Sequence, residues 1–367
     1  MKKTPHKRIV VKVGSSLIIG EDGYVRKDWL ATLAVDIAAL KQQGVEVIVV
    51  TSGAVALGRA SMGYGLRALE LEEKQAAAAC GQAPLLAAWS EAFGSSVSPA
   101  LVLLTADDST DRRRYLNARN TLDTLLAQEN VIPLINENDT VATAEIRFGD
   151  NDRLSARVAQ MAGADLLILL SDIDGLYSAD PRKNIEAKFI AEVASITPEI
   201  EAFAGGAGSD VGSGGMITKI AAAKIAVGAG CNMMIARGLE DHPLKTLFDG
   251  GKHTRFIASV SPLSARKNWI AGDMHPTGEV WIDDGAAKAL AGGKSLLPAG
   301  VTLAAGNFKR GDTVNIVNNA RVLGKGLIAY DFEDANIIIG KHSREFEALL
   351  GFKGRDVLIH RDDMVLD

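Results

Sequence analysis

A glycine-rich segment, GSGGMITK at residues 212–219, ends in a lysine and overlaps the start of a predicted helix, Met216–Gly228. Glycines tolerate positive φ and let backbone N–H groups approach an anion closely. The N–H groups at a helix start carry partial positive charge, and Lys219 adds a full charge. The segment therefore predicts a polyphosphate site, although such runs also occur as plain surface loops. It is not a Walker loop, because its lysine follows Thr218 and the spacing G-x-x-x-x-G-K-[ST] is absent.

Lys12 is a charged residue inside the otherwise apolar run VVKV. A lysine that is buried in a strand needs an anionic partner or a ligand. Gly14 and Ser15 follow almost directly, and their backbone and hydroxyl donors favour a phosphate ligand. The alternative is a structural ion pair with an aspartate or glutamate.

Asp152 stands just before a predicted helix over residues 153–161, after the polar stretch Gly149-Asp150-Asn151. It could be only an N-cap, or it could also orient lysines or a metal ion. No Ser/His/Asp or Cys/His arrangement is evident in the sequence. A carboxylate acceptor would need no general base, because it is already ionised at neutral pH. Phosphoryl transfer to it needs charge neutralisation and in-line positioning, which lysines, backbone amides and Mg²⁺ supply.

Small polar residues directly follow four apolar runs that are predicted to be strands. They lie at residues 14–16, 51–53, 136–139 and 171–172. Ligands of open α/β sheets collect beyond the carboxyl ends of the strands, so we expect these loops to line one crevice. Each of them, taken alone, could be only a turn.

Apolar runs that alternate with helical patterns predict an α/β fold. The runs are residues 9–13, 45–50, 100–104, 131–135, 166–170 and 233–236. Such runs are typical of strands buried on both faces, and βαβ units give a three-layer αβα structure around a mainly parallel sheet. After about Gly250 short β-like pieces with turn signals predict a second, β-rich domain. We predict an α/β domain at residues 1–258, a connecting segment at 259–276, a β-rich domain at 277–355 and a tail at 356–367.

The composition is that of an ordinary globular protein, with 47% hydrophobic and 23% charged residues among 367. The net charge of -5 gives no general attraction to nucleic acid or to an anionic membrane. The basic N terminus is followed by only a short apolar run, and no stretch could span a bilayer, so we expect a cytoplasmic protein. Cys80 and Cys231 show no metal-ligand spacing and are expected to be reduced.

Five motifs occur in the order VVKVGSS, VTSGAVALG, NENDTVATAEIRFGDND, SDIDGLYSADPR and GSGGMITK. Together they resemble the amino-acid kinase family, most closely its glutamate-phosphorylating members, which often carry a C-terminal PUA domain. The resemblance spans nearly the whole chain and implies the amino-acid kinase fold, with a PUA-like domain at residues 277–355. It implies transfer of the ATP γ-phosphoryl group to the side-chain carboxylate of L-glutamate, giving γ-glutamyl 5-phosphate for proline synthesis. It further implies feedback inhibition by proline and a homo-oligomer.

The resemblance also implies roles for single residues. Lys12 and Lys219 would bind ATP and stabilise the transferred phosphoryl group, while Asp152 would organise their two ammonium groups. Gly14 and Ser15 would add hydrogen-bond donors. The remaining implied nucleotide-binding positions are Ser171, Asp172, Ser213, Gly214, Gly215, Met216, Ile217 and Thr218. Mg²⁺ is expected as the partner of ATP, without a dedicated protein metal site.

Ser52, Asp139 and Asn151 match the family's glutamate-binding positions. Their hydroxyl, carboxylate and amide groups could bind the charged ends of an amino acid, and Asp139 is expected to contact the ammonium group. The family commonly has threonine at the positions of Ser16 and Ser171, and both replacements keep a hydroxyl.

Two alternatives remain open from the sequence. The acceptor could be N-acetylglutamate, aspartate or a nucleoside monophosphate, or the chain could be an RNA-binding regulator that has lost activity. Residues 276–355 contain ten Lys/Arg and nine Asp/Glu, which gives no strong surface for a phosphate backbone. RNA binding is therefore the less favoured hypothesis, and the presence of Lys12, Asp152 and Lys219 also speaks against a regulator.

Overall fold

The chain forms two compact units in a computed structural model that describes residues 1–65, 67–142, 151–204, 215–273 and 275–366. The first unit comprises Met1–Ser109 and Ala118–Pro262, and the second comprises Thr110–Asn117 and Leu263–Asp367. The segment bounds given above from the sequence remain predictions.

The first unit is built on a mainly parallel sheet, as predicted. Its strands are β1 (Arg8–Val13), β2 (Glu46–Val50), β3 (Ser98–Leu104), β4 (Val131–Glu137), β5 (Leu166–Ser171), β6 (Leu176–Tyr177), β7 (Phe189–Ile190), β8 (Glu192–Val193), β9 (Asn232–Arg237) and β10 (His253–Phe256). The main sheet has the order β3-β4-β2-β1-β5-β9-β10-β8. Within it β10 runs antiparallel to β9, and β6 pairs separately with β7.

Helices cover both faces of this sheet, which confirms the three-layer prediction. They are α1 (Ser15–Ile18), α2 (Lys27–Gln42), α3 (Ala54–Ser61), α4 (Leu71–Phe93), α5 (Arg112–Leu126), α6 (Asn151–Ala162), α7 (Pro198–Phe203), α8 (Met216–Gly228) and α9 (Pro243–Phe248). The residues of α5 up to Asn117 belong to the second unit. Among the helices of the described ranges, none has both the length and the apolar character that crossing a bilayer requires.

The alternation of side chains along β1 decides where Lys12 points. Ile9, Val11 and Val13 are fully buried in one core with residues of α2 and α4. Successive side chains of a strand point to opposite faces, so Lys12 must point to the other face. That face is covered by α6, which contacts β1 and β5. The lysine is thereby directed toward the helix that carries Asp152.

The second unit is β-rich, as predicted. Its elements are α10 (Pro262–Ala271), β11 (Gly278–Ile282), α11 (Asp284–Ala291), β12 (Val301–Gly306), β13 (Thr313–Asn318), β14 (Arg321–Leu327), α12 (Phe332–Ile338), α13 (Phe346–Leu350) and β15 (Met364–Leu366). The sheet order is β12-β11-β13-β14-β15, with β11 parallel to β13 and the other neighbours antiparallel. Its core includes Val280, Ile316 and Phe346. The last strand, β15, lies within the segment interpreted from the sequence as a tail.

Gly58 of α3 and Gly81 of α4 let the backbones of these two helices pack in direct contact, and this close approach gives a first prediction. A Cβ atom added to Gly58 would lie 1.7 Å from the carbonyl oxygen of Ala77. Because that oxygen is part of a helix backbone, Gly58→Ala must push the helices apart and should lower the free energy of unfolding by about 3 kcal/mol. Urea unfolding measures the change.

Gly228→Ala is the matched control for this substitution. Gly228 ends α8, and a Cβ atom there would meet nothing within 4 Å. Alanine should therefore leave stability unchanged or raise it by up to about 1 kcal/mol. An unfolding midpoint of Gly58→Ala equal to that of Gly228→Ala would contradict the close helix contact.

Candidate active site

Lys12, Asp152 and Lys219 meet beside the carboxyl end of β1. Asp152 belongs to the first turn of α6, and Lys219 lies near the start of α8. Lys12 Nζ lies 2.7 Å from Asp152 Oδ1, and Lys219 Nζ donates to Asp152 Oδ2 over 3.0 Å. All three side chains are buried, and Asp152 is only 1% exposed. One carboxylate therefore holds two ammonium groups close enough for a single anion to contact both.

The Asp152 carboxylate is held in its ionised form and in one orientation. Burial alone would raise its pKa, but the charges of Lys12 and Lys219 and their contacts outweigh burial and lower the pKa to about 2. Thr218 Oγ1 donates to Asp152 Oδ2 over 2.8 Å, and Ser155 Oγ donates to the Asp152 backbone oxygen over 2.6 Å. The carboxylate is thus a fixed negative charge at any neutral pH.

Gly14 and Ser15 follow β1 next to this cluster. A Cβ atom added to Gly14 would lie 3.7 Å from Lys12 Nζ, so the loop backbone passes directly beside the ammonium group. Ser15 is exposed and begins α1. Both residues are positioned at the sheet edge where the predicted crevice lies.

Ser171 and Asp172 lie at the end of β5, which pairs in parallel with β1. Ser171 Oγ donates to Asp172 Oδ1 over 3.0 Å, and Arg182 Nη2 donates to Asp172 Oδ2 over 2.7 Å. Burial raises the pKa of the Asp172 carboxyl, but these two hydrogen bonds prevail and lower it. The carboxyl ends of β1 and β5 therefore bring these two residues to the same edge as Lys12.

The described part of the glycine-rich segment forms the start of α8. Gly215 is the N-cap, and the predicted residues Met216, Ile217 and Thr218 make up the first turn. Ser213 and Gly214 lie outside the described residues. A helix N terminus presents backbone N–H groups, so this turn adds an anion-binding end to the side of Lys219.

Two of the three predicted substrate-binding residues are in direct contact. Asn151 Nδ2 donates to Ser52 Oγ over 2.9 Å, to the Thr51 carbonyl oxygen over 2.7 Å and to Asn136 Oδ1 over 3.1 Å. Asn151 Oδ1, by contrast, is buried and has no hydrogen-bond partner among the described residues. A buried acceptor without a partner lowers the stability of the folded protein unless a bound ligand donates a hydrogen bond to it.

Asp139 follows β4, which pairs in parallel with β2, the strand that leads to Ser52. Its side chain is only 7% exposed, and burial raises the pKa of the carboxyl to about 6. A cation that binds beside it would favour the ionised form and bring the pKa down again. Asp139 is therefore suited to bind an ammonium group at this sheet edge.

Two side chains of α4 contribute to this site, and neither was predicted from the sequence. Trp89 Nε1 donates to Thr51 Oγ1 over 3.0 Å, and Gln82 Oε1 accepts from Asn136 Nδ2 over 3.2 Å. The two α4 residues are seven positions apart and thus share one face of the helix. In an Ala-rich helix, this spacing of two side chains with polar ends could have indicated from the sequence that α4 contacts the site.

A dedicated metal site is not seen in the described ranges, where no group of three or more His, Cys, Asp or Glu side chains is arranged to hold an ion. Asp152 already binds two ammonium groups. Its oxygens are therefore engaged by cations of the protein itself.

Comparison with known proteins shows which family and which relatives this chain resembles. Residues 7–237 match the Amino acid kinase family, and residues 278–350 match the PUA domain. The chain is 59% identical over 364 residues to the glutamate 5-kinase of Paramagnetospirillum magneticum, covering 98% of each protein. It is 55% identical over 363 residues to that of Sinorhizobium fredii, covering 98% of this chain and 92% of the relative. For the glutamate 5-kinase of Rhodospirillum rubrum the identity is 54% over 361 residues, covering 98% of this chain and 96% of the relative.

Proposed function

The chain belongs to the amino acid kinase family, and we propose that it transfers the γ-phosphoryl group of ATP to the side-chain carboxylate of L-glutamate. The products are γ-glutamyl 5-phosphate and ADP. The observation that carries the proposal is the buried cluster of Lys12, Asp152 and Lys219, in which two ammonium groups converge on one carboxylate. The glutamate 5-kinases named above, which match this chain over nearly its whole length, support glutamate as the acceptor.

The reaction requires one bond to form and one to break at the γ-phosphorus. A glutamate carboxylate oxygen forms the new P–O bond while the bond to the β-phosphate oxygen breaks, and its electron pair leaves with ADP. No proton has to move, because the attacking oxygen is already ionised. The barrier lies in bringing an anion to a polyanion, which is lowered by fixed positive charge at the transferred group.

Lys12 and Lys219 are proposed to supply that positive charge. Asp152 keeps both ammonium groups in place before ATP arrives, so little reorganisation is needed during the reaction. Gly14, Ser15 and the start of α8 would contribute backbone and hydroxyl donors to the phosphates, and Ser171 with Asp172 would contact the nucleotide. The proposed nucleotide set also includes Ser213 and Gly214. Mg²⁺ bound to ATP would neutralise part of the phosphate charge.

Glutamate is proposed to bind at Ser52, Asp139 and Asn151. Asp139 would pair with the ammonium group, and the unpartnered Asn151 Oδ1 would accept a hydrogen bond from it. Both groups are acceptors, and this chemistry favours a free ammonium over an acetylated nitrogen. N-acetylglutamate, whose nitrogen is uncharged, and nucleoside monophosphates, which have no α-ammonium group, are thereby less suitable acceptors, whereas aspartate is separated from glutamate only by its length.

An acceptor screen tests the proposal. Purified protein is incubated with MgATP, hydroxylamine and one candidate acceptor, and the hydroxamate formed from an acyl phosphate is measured. L-glutamate should give the highest kcat/KM, and N-acetylglutamate should be poorer by roughly 10³-fold or more, because acetylation leaves Asp139 unpaired. Hydroxamate from another acceptor but none from glutamate would overturn the proposal.

Replacement of Asp139 by asparagine is predicted to act on glutamate binding. Loss of the charge pair should raise the glutamate KM about 30-fold at pH 8, with kcat changed by less than about threefold. In the unaltered protein the KM should rise below about pH 6, because a carboxyl with a raised pKa of about 6 becomes protonated there and cannot pair with ammonium. Steady-state kinetics between pH 5 and 8 measure both effects.

The asparagine variant is its own control for the pH effect, since its glutamate KM should vary little over the same range. If the glutamate KM of the unaltered protein stays constant down to pH 5, Asp139 does not contact the ammonium group.

We further propose that the product serves proline synthesis and that proline inhibits by binding in the glutamate pocket. Proline is an amino acid with a cationic nitrogen and a carboxylate, so it can use the same acceptors. Proline titration at several glutamate concentrations should give competitive inhibition. Pure noncompetitive inhibition would indicate a separate site.

A further inference from the structure

A chain of amide groups links α4 to the proposed glutamate site. Gln82 Oε1 accepts from Asn136 Nδ2 over 3.2 Å, and Asn136 Oδ1 accepts from Asn151 Nδ2 over 3.1 Å. Gln82 is half-buried, while Asn136 and Asn151 are buried. None of these contacts is local, since Gln82 precedes Asn136 by 54 residues.

Two backbone groups determine which end of each side-chain amide donates a hydrogen bond and which end accepts one. The Glu137 carbonyl can only accept, and Gln82 Nε2 faces it at 3.5 Å, which turns Gln82 Oε1 toward Asn136. The Glu137 N–H can only donate, and it donates to Asn136 Oδ1 over 2.9 Å. Asn136 must therefore present its oxygen to Asn151 and its nitrogen to Gln82, because an amide has one end of each kind.

The consequence appears at Asn151. Its Nδ2 group is fully used on Asn136 Oδ1, the Thr51 carbonyl and Ser52 Oγ. Its Oδ1 is left as a buried acceptor without a partner in the described ranges. The amide chain thus decides that Asn151 offers an acceptor and not a donor to a ligand.

We propose that Gln82 is a positioning residue that, through Asn136, holds Asn151 Oδ1 toward the ammonium group of the acceptor substrate. Gln82 does not touch the substrate in this proposal. It makes the site selective for an amino acid over a dicarboxylate that lacks the amino group. The inference rests on the proposed function, because it takes glutamate as the acceptor.

The test compares L-glutamate with glutarate, which has the same two carboxylates and no ammonium group. Gln82→Met keeps a side chain of similar length but leaves Asn136 Nδ2 without an acceptor. We expect the ratio of kcat/KM for glutamate to that for glutarate to fall about tenfold, mainly through the glutamate KM. The KM for ATP should not change. If glutarate turns over too slowly, its inhibition constant against glutamate replaces its kcat/KM.

Two further variants separate positioning from a general loss of structure. Gln82→Glu keeps an oxygen that can accept from Asn136 Nδ2, and it should retain the ratio within about threefold. Gln160→Met makes the same change at an exposed position of α6 and should leave the ratio unaltered. If Gln82→Met does not fold, Gln82→Ala is measured in its place, because it also removes the acceptor for Asn136 Nδ2 without adding a charge.

The outcomes are distinguishable. Absence of glutamate phosphorylation in the unaltered protein rejects the proposed function itself. Glutamate phosphorylation with an unchanged glutamate-to-glutarate ratio in folded Gln82→Met rejects only the role of Gln82. An equal loss with both acceptors would show a structural role without selectivity and would also overturn the inference.

Discussion

Lys219→Ala is expected to lower kcat by roughly 10²–10³-fold, because it removes a fixed charge from the proposed site of phosphoryl transfer. The glutamate KM should change by less than about threefold, since this charge acts mainly as the phosphoryl group moves. The structure supports such a role because Lys219 is only 5% exposed and its Nζ is held 3.0 Å from Asp152. Steady-state kinetics with both substrates varied measure the two constants separately.

Lys224→Ala is the matched control for this substitution. Lys224 also belongs to α8, but it is partly exposed and pairs with Glu201 over 2.7 Å. Its replacement should leave kcat within about twofold, because a surface ion pair contributes little. If Lys219→Ala raised only the glutamate KM and kept kcat, Lys219 would have no role in the chemical step.

Asp152→Asn is expected to reduce both stability and activity. It leaves the ammonium groups of Lys12 and Lys219 buried without the carboxylate that holds them, and breaking a buried ion pair in this way lowers the free energy of unfolding by about 3–5 kcal/mol. The value of kcat should fall by at least about 10²-fold, because the two ammonium groups are no longer held together. Urea unfolding and the hydroxamate assay measure the two effects.

The pH dependence of stability gives an independent check on Asp152. Its pKa of about 2 in the folded protein lies below the ordinary value of 3.8, so the folded state favours the ionised form. The resulting stabilisation, roughly 2 kcal/mol, is present above about pH 4 and is lost as the pH falls toward 2. Asp152→Asn should lack this component of acid destabilisation.

Two comparisons make the Asp152 prediction specific. Glu91→Gln removes a carboxylate whose partner, Lys27, is exposed, and it should change the unfolding midpoint little. Adding Lys219→Met to Asp152→Asn removes one of the two uncompensated charges, so part of the lost stability should return. Strictly additive losses in the double variant would contradict the mutual dependence of the two side chains.

Much of the fold could be predicted because its determinants are local. The six apolar runs match β1, β2, β3, β4, β5 and β9 to within two residues at their ends, and the predicted helix Met216–Gly228 is α8 without change. Lys12 was identified because a charge in an apolar strand is unusual, and its partner proved to be Asp152, joined by Lys219. The two interpretations weighed for Lys12, a structural ion pair and a phosphate site, are physically compatible, since one carboxylate can hold both lysines for a ligand.

Other features depend on contacts that no local pattern encodes. The antiparallel strand β10 was not predicted from the sequence, and its direction is set by pairing with β9. The close packing of Gly58 against the Ala77 carbonyl oxygen cannot be read from the residues around it, because Ala77 belongs to another helix. The raised pKa of Asp139 arises from burial by the folded chain, and no spacing in the sequence reports burial of a polar loop residue.

The sequence by itself determined the αβα architecture, the β-rich second unit and the residue types suited to phosphoryl transfer, because strand and helix periodicity and loop chemistry are properties of short segments. The tertiary structure alone decided that α4 would supply Gln82 and Trp89 as hydrogen-bond partners of Asn136 and Thr51, and which end of each amide donates and which accepts. The physical reason is that hydrogen-bond direction depends on the backbone groups brought alongside, and these come from segments far apart in the chain.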